Sequence, residues 1–285
     1  MNPSEYFSQR LDSKQPDLAR QAQAWDRRAE EVGAFTVARD DMALHLVRQH
    51  MDLSGKAVLD ISFGAGRHLL EFLRQGARIS GVEISAGMVA QAHRKLRASG
   101  LPYPPDNLVQ SAWETLDLST RGWDQAFDLV FLHKSPAISS VAMLKKVLQA
   151  SRQAVCISLY THREDSLLQD LLLGFGLMRD PGGIRVADDL LAIFNLLYAW
   201  GYLPQLQFEE HSKTSRHDPD RIVDRYASWL WRGADCTETR RRALRDTLRH
   251  RAVDSKVDTR HRDIVGHLLV DVRRRQPGAG FDDHV

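Results

Sequence analysis

Apolar residues first recur along the chain at helical spacing. Leu18, Ala22, Trp25 and Ala29 fall three or four residues apart, and Met42, Leu44, Leu46 and Val47 begin a second stripe. The spacing predicts two helices ahead of any strand. Ser54-Gly55-Lys56 then interrupts the pattern as a turn, and Ala57-Val58-Leu59 opens a short apolar run that ends in Asp60. From there strand-like runs at 57–62, 78–83, 107–111, 127–132 and 154–159 alternate with amphipathic stretches such as 67–73 and 86–96. Beyond Leu159 the pattern predicts a helix at 164–173, a Gly-Pro loop around 180–183 and a helix at 187–200. A strand at 205–211, helices at 219–231 and 237–251, and a last strand at 264–272 follow. Alternation of this kind requires crossover connections, so the expected class is α/β, doubly wound around a mostly parallel sheet. The expected organisation is an N-terminal helical segment (1–53), a main domain (54–275) with a helical insertion at about 212–260, and a disordered tail from 276.

Composition narrows the class of protein. The 285 residues are 43% hydrophobic, enough to bury a core of ordinary size. No apolar run is long enough to span a bilayer, and the first residues lack the basic and apolar regions of a secretory signal, so a cytoplasmic location with no membrane partner is expected. Cys156 and Cys236 lie far apart in unlike contexts, which argues against a disulfide framework or a cysteine zinc site. The 39 basic and 37 acidic residues leave a formal charge of +2. From His211 onward 17 Lys or Arg stand against 12 Asp or Glu, a local excess of 17 − 12 = 5. That excess reads either as solvated helix faces or as a polyanion footprint, the first being the commoner case.

The chemistry concentrates in Asp60-Ile61-Ser62-Phe63-Gly64-Ala65-Gly66-Arg67-His68, a strand ending in an acid, a loop of small residues, then a helix. Glycines at 64 and 66 let the backbone turn tightly and approach a ligand, and the helix start presents unpaired amides to an anion. A second strand, Ile79-Ser80-Gly81-Val82-Glu83-Ile84, also ends in an acid, at the distance expected for a carboxylate that grips ribose hydroxyls. A nicotinamide dehydrogenase fingerprint would place a third glycine at 69, where this chain has Leu69.

This pair of strand-loop-helix units resembles the class I S-adenosylmethionine-dependent methyltransferases, whose pattern is an acid, any residue, then Gly-x-Gly-x-Gly; here Ser62 replaces the first glycine. Trp25-Asp26-Arg27-Arg28-Ala29 is similar to a stretch that packs over the cofactor in that family, although its spacing alone reads as a core anchor. After the third strand, Ala112 stands where the family usually has an acid for the adenine amino group, followed by Trp113. The resemblance covers about residues 24–159. It implies a seven-stranded Rossmann-like methyltransferase sheet that binds S-adenosylmethionine and releases S-adenosylhomocysteine, with Trp25, Asp60, Ser62, Gly64, Gly66, Glu83, Ile84, Ala112, Trp113 and His133 around the cofactor.

In such sheets ligands bind beyond the carboxyl ends of the strands, so the fourth strand should deliver His133-Lys134-Ser135-Pro136-Ala137 to the substrate. His133 reads as a general base or as a histidine bonded to its neighbours, and Lys134 as a group that orients an anion. Methylases of amino groups on nucleobases or glutamine carry Asn or Asp followed by Pro-Pro and an aromatic here, which Ser135-Pro136-Ala137-Ile138 lacks. Tyr160, His162, Trp229 and Trp231 are lesser candidates, each explicable by packing. The expected function is methyl transfer to a small molecule. The rivals are a nucleic-acid (RNA) methyltransferase, on the basic C-terminal third, and a non-catalytic S-adenosylmethionine-binding protein, on Ser62 and Ala112.

Overall fold

The computed structural model describes residues 3–12, 16–30, 41–177, 187–231 and 236–276. The loop expected at 180–183, and the tail beyond residue 276, lie outside them. The helices described ahead of the sheet include α1 (Pro3–Asp12), α2 (Leu18–Asp26) and α3 (Met42–His50). The alternating part then runs β1 (Ala57–Ile61), α4 (Arg67–Arg74), β2 (Arg78–Glu83), α5 (Ala86–Ala98), β3 (Leu108–Gln110), β4 (Phe127–His133), α6 (Val141–Ala150) and β5 (Ser151–Asp165). It is followed by α7 (Ser166–Gly174), α8 (Ala187–Ala199), β6 (Gln205–His217), α9 (Pro219–Leu230), α10 (Glu238–Arg251) and β7 (Val257–Asp271). Among the described residues no helix is long and apolar enough to cross a membrane.

The seven strands form one sheet in the order β3-β2-β1-β4-β5-β7-β6. β1 pairs in parallel with β2 and β4, β2 with β3, and β4 with β5, while an antiparallel pair lies at the far edge. The central strands are buried along nearly their whole length, Val58, Leu59 and Ile61 on β1 and Leu129, Val130 and Phe131 on β4 being fully covered. This is why they read as continuous apolar runs rather than alternating ones. At the amino ends, Asp128 accepts the Ala57 amide at 2.9 Å and a bidentate Arg152 guanidinium at 2.9 and 2.8 Å. Asp128 thereby links three neighbouring strands at their amino ends. On the same side of the chain's order, Leu11 of α1 is fully buried and Asp12 accepts the first amide of α6 at 2.9 Å.

The chain divides into two compact units: residues 1–159, 188–208 and 266–285 in the first, and 160–187 and 209–265 in the second. The expected insertion at 212–260 therefore belongs to a larger body that also takes residues 160–187. Its core packs Leu167 and Leu171 of α7, Ile222, Val223 and Tyr226 of α9, and Leu244 and Leu248 of α10. Asp165 organises it, capping α7 through the Leu168 amide (2.9 Å) while accepting the Thr259 hydroxyl (3.0 Å) and the Tyr226 phenol (2.8 Å). β5, β6 and β7 are longer than the apolar pattern implied, because 160–165, 209–217 and 257–263 are polar strand extensions whose side chains are mostly not buried.

Tyr226→Phe removes one charge-assisted hydrogen bond from this second core and leaves the ring in place. It is expected to lower unfolding stability by about 1.5–3 kcal/mol, read from denaturant midpoints at unchanged m-value. A change under about 0.5 kcal/mol would show that Asp165 does not organise the unit.

Candidate functional site

Between β1 and α4 the backbone turns through three left-handed residues: Ser62 (φ 62°), Gly64 (φ 56°) and Gly66 (φ 74°). A side chain at Gly66 is excluded twice over, since its Cβ would lie 2.8 Å from the Cβ of Ala92 as well as in a disfavoured conformation. Ser62 stands where the family pattern has glycine and adopts the glycine's conformation, at a cost of about 1–2 kcal/mol. Its hydroxyl accepts a 2.8 Å hydrogen bond from Ser135, just past β4, and its amide donates to Val82 at 2.7 Å. The loop therefore keeps the shape that the glycine pattern requires. Gly66 caps α4 without a side-chain hydrogen bond, leaving the first amides of that helix available to an anion.

Two carboxyls lie beneath this loop. Asp60 is 1% exposed, and its Oδ2 is buried with no hydrogen-bond partner. Burial, then the neighbouring charge of Glu83, pushes its pKa well above the ordinary aspartate range, against the pull of Arg67. Glu83 accepts the Gly64 amide through Oε2 and the Ser85 amide through Oε1, both at 2.9 Å. Burial raises its pKa too, the amide bonds opposing. Helix α2 is clamped over the same place by Asp26, whose Oδ1 accepts the Ser85 hydroxyl at 2.6 Å and the Gly87 amide at 2.9 Å. Trp25 is half-buried against Ala29, Ala65 and Met88, with the Arg28 guanidinium 5.0 Å from its ring centroid.

The remaining expected residues separate into two groups. Ile84 and Ala112 are half-buried beside the strand ends. Trp113 is a core residue; its ring is covered, with the Lys146 ammonium 4.8 Å from the centroid, and Lys146 also donates to the Trp113 and Leu116 carbonyls. At the end of β4, Lys134 is left-handed (φ 56°) and donates its amide to Ser158 at 2.6 Å. Both ring nitrogens of His133 are buried, and neither has a hydrogen-bond partner among the described residues. Its ring lies 4.6 Å from that of His68, stacks on Phe131 at 6.1 Å and stacks on His267 at 6.2 Å. Burial first, and then the positive charges around it, holds its pKa well below the usual histidine range. His68 in turn faces Asp41, Nε2 to Oδ2 3.3 Å, and Asp41 caps α3 through the Leu44 amide.

Asp41 has a place in this arrangement that the sequence pattern did not assign, whereas Asp26, His68 and Ser135 stood inside the quoted motifs without a role of their own. In the second unit, Tyr160 lies under the Arg163 guanidinium and His162 bonds Glu164, both local contacts. Trp231 is buried against Phe175, whereas Trp229 is 48% exposed. Four arginines of α10 pair with acids: Arg241 with Asp224, Arg245 and Arg249 with Asp220 at 3.8 and 2.9 Å, and Arg251 with Asp170 at 2.8 Å. A groove of about 420 Å³ lined by Ala57, Arg78, Ile79 and Pro104 lies at the other end of the strands, away from the loop.

The buried acid gives a signed pH prediction. Asp60's folded pKa is raised, so its contribution to stability is complete below the unfolded value, about 3.9, and is lost as pH rises through the folded value. Asp60→Asn is therefore expected to flatten the fall in Tm between acidic and mildly alkaline pH, and to be more stable than the parent at pH 8 by about 1–3 kcal/mol. A variant less stable than the parent at pH 8 contradicts this. Ser62→Val, which keeps the left-handed strain and loses the Ser135 hydrogen bond, is expected to cost about 2–3 kcal/mol. Ser62→Gly, which exchanges the strain for the bond, should stay within about 1 kcal/mol of the parent in the same denaturant titration.

Residues 58–155 match the sequence model of a family described as a methyltransferase domain. A search of curated proteins found no match. Among solved structures the chain is similar to the YcgJ protein of Bacillus subtilis, at 18% identity over 82% of this chain and 99% of that one, with a TM-score of 0.46. It is also similar to a phosphoethanolamine N-methyltransferase of Haemonchus contortus, at 13% identity over 82% and 53% of the two chains (TM-score 0.44). A third is the magnesium protoporphyrin IX methyltransferase of Synechocystis PCC 6803, solved with S-adenosylhomocysteine bound, at 13% identity over 94% of each chain (TM-score 0.42). The matched segment spans the glycine loop and both acid-ended strands, so this part of the chain is similar in sequence to a methyltransferase domain, in a sheet of Rossmann-like strand order.

Proposed function

We propose that this protein transfers a methyl group from S-adenosylmethionine to a small-molecule acceptor in the cytoplasm. The observation that carries the reading is the loop 62–66, held in a left-handed path while Glu83 fixes the Gly64 amide and Asp60 keeps a buried oxygen without a partner. An orphaned carboxylate oxygen beside a helix start is a donor set that fits a ligand carrying both an ammonium and a carboxylate. Asp60, Ser62, Gly64, Gly66 and Glu83 would hold the cofactor, with Trp25 over the loop and Ile84, Ala112 and the main chain of Trp113 on the adenine side. S-adenosylmethionine, when bound, supplies a methyl group already activated by its sulfonium.

Most of the rate then has to come from alignment, since the donor is intrinsically reactive and the displacement needs only an in-line approach. The left-handed Lys134 and the Ser62–Ser135 hydrogen bond fix the ends of β4 and β1 against each other, a rigid floor on which an acceptor is positioned. A small acceptor is favoured over nucleic acid because four of the six arginines of α10 are paired with acids of the same chain. A cytoplasmic setting suits two free cysteines.

Calorimetric titration of the full chain with S-adenosylmethionine and S-adenosylhomocysteine tests the reading. One equivalent of each is expected to bind. Gly64→Arg, which puts a long side chain into the open space over the loop, and Glu83→Ala are each expected to weaken binding at least tenfold with the fold retained by circular dichroism. A folded parent that binds neither ligand, or a Gly64→Arg variant that binds as the parent does, overturns the cofactor site. An acceptor screen that follows S-adenosylhomocysteine release separates an enzyme from a protein that only binds the cofactor.

A further inference from the structure

We propose that Asp41, His68 and His133 form a binding site for a zinc-like divalent transition-metal ion. The three come from separate parts of the chain, the start of α3, the first turn of α4 and the end of β4. Each offers one ligand atom, and those atoms lie within 4.8 Å of one another. A tetrahedral ion with bonds of about 2.1 Å holds its ligands roughly 3.4 Å apart. The Asp41–His68 pair already stands at 3.3 Å, so only His133 has to close in. Its ring is 4.6 Å from the His68 ring and tilted by 55° to it.

The independent pointer to a ligand is His133 itself. Both of its ring nitrogens are buried and neither has a partner among the described residues, an arrangement that costs free energy unless something else occupies one of them. Packing against Phe131 and His267 explains why the ring is held in place, and does nothing for its nitrogens. Two imidazoles and one carboxylate are a donor set for Zn²⁺ and its neighbours rather than for Mg²⁺ or Ca²⁺, which take oxygen. With three protein ligands a coordination position remains open, as in sites that bind a further oxygen or sulfur ligand. Asp41 also accepts the Leu44 amide, and His68 stacks edge-on to Phe131, so two of the three ligands are oriented by groups behind them. Arg67 and Lys134 lie close enough to oppose a cation, which lowers the expected affinity.

The inference does not depend on the cofactor reading. In the test, the full chain is stripped with a chelator, dialysed, and titrated with ZnCl₂ by calorimetry and with CoCl₂ by visible absorption. S-adenosylhomocysteine binding is measured separately on the same preparations. One equivalent of Zn²⁺ and the intense absorption of four-coordinate Co²⁺ are expected. His68→Ala and His133→Gln should each weaken Zn²⁺ binding at least tenfold, while His45→Ala, on the exposed face of α3, should leave it unchanged. X-ray absorption of the Zn²⁺-loaded parent, which needs no variant to fold, should show two imidazole ligands. No stoichiometric binding by the folded parent, binding that survives in both folded variants, or an absorption spectrum without two imidazoles each overturns the site. If S-adenosylhomocysteine still binds in any of these cases, the methyltransferase reading stands.

Discussion

Two carboxyls buried at the carboxyl ends of adjacent parallel strands set the terms for everything around them. Asp60 and Glu83 are both buried there, which raises the cost of charging either, and the charge of Glu83 adds to the cost for Asp60. Glu83 is stabilised by amides, and one of these belongs to Gly64, which is available only because the loop runs through left-handed conformations. The loop can take that path because Gly66 lies against Ala92 with no room for a side chain, and because Ser62 is held from across the sheet by Ser135. Ordering the loop thus serves the acids, and the acids in turn fix the loop. Strain and buried polarity gathered at one place, in a core otherwise well packed, are the usual physical mark of a binding site.

The same place joins the N-terminal helices to the sheet. Asp26 ties α2 to the turn after β2, Trp25 rests on Ala65 of the loop, and Asp41 links the start of α3 to His68 on α4. These contacts bring the N-terminal helices against the loop and the ends of the strands. Replacement of a family glycine by Ser62 is absorbed by the backbone, which keeps the left-handed turn. The missing acid at Ala112 has no comparable replacement, and Trp113 faces the core.

The central strands and the glycine loop were legible in the sequence because their signals are local: a five-residue apolar run, an acid at its end and glycine at fixed offsets. The polar halves of β5, β6 and β7 were not, because they carry mixed charged residues that do not alternate cleanly, and the pattern ends where burial ends. The second unit's organiser, Asp165, sits among charged neighbours with nothing in sequence to set it apart. Asp41 and His133 are 92 positions apart (133 − 41) and meet only through the topology of the sheet. His133 was recognised as a site residue from its position at a strand end, yet the direction its ring faces is a matter of tertiary packing.

The most direct test of a site built on the 60–66 loop and Glu83 is a backbone amide NMR titration of the full chain with S-adenosylhomocysteine. The largest shifts should fall on residues 60–66, 83–87 and 111–113, with residues 77–80 and 102–107 at the opposite strand ends unmoved. Shifts centred on that opposite groove, or none at saturating ligand, would contradict the account.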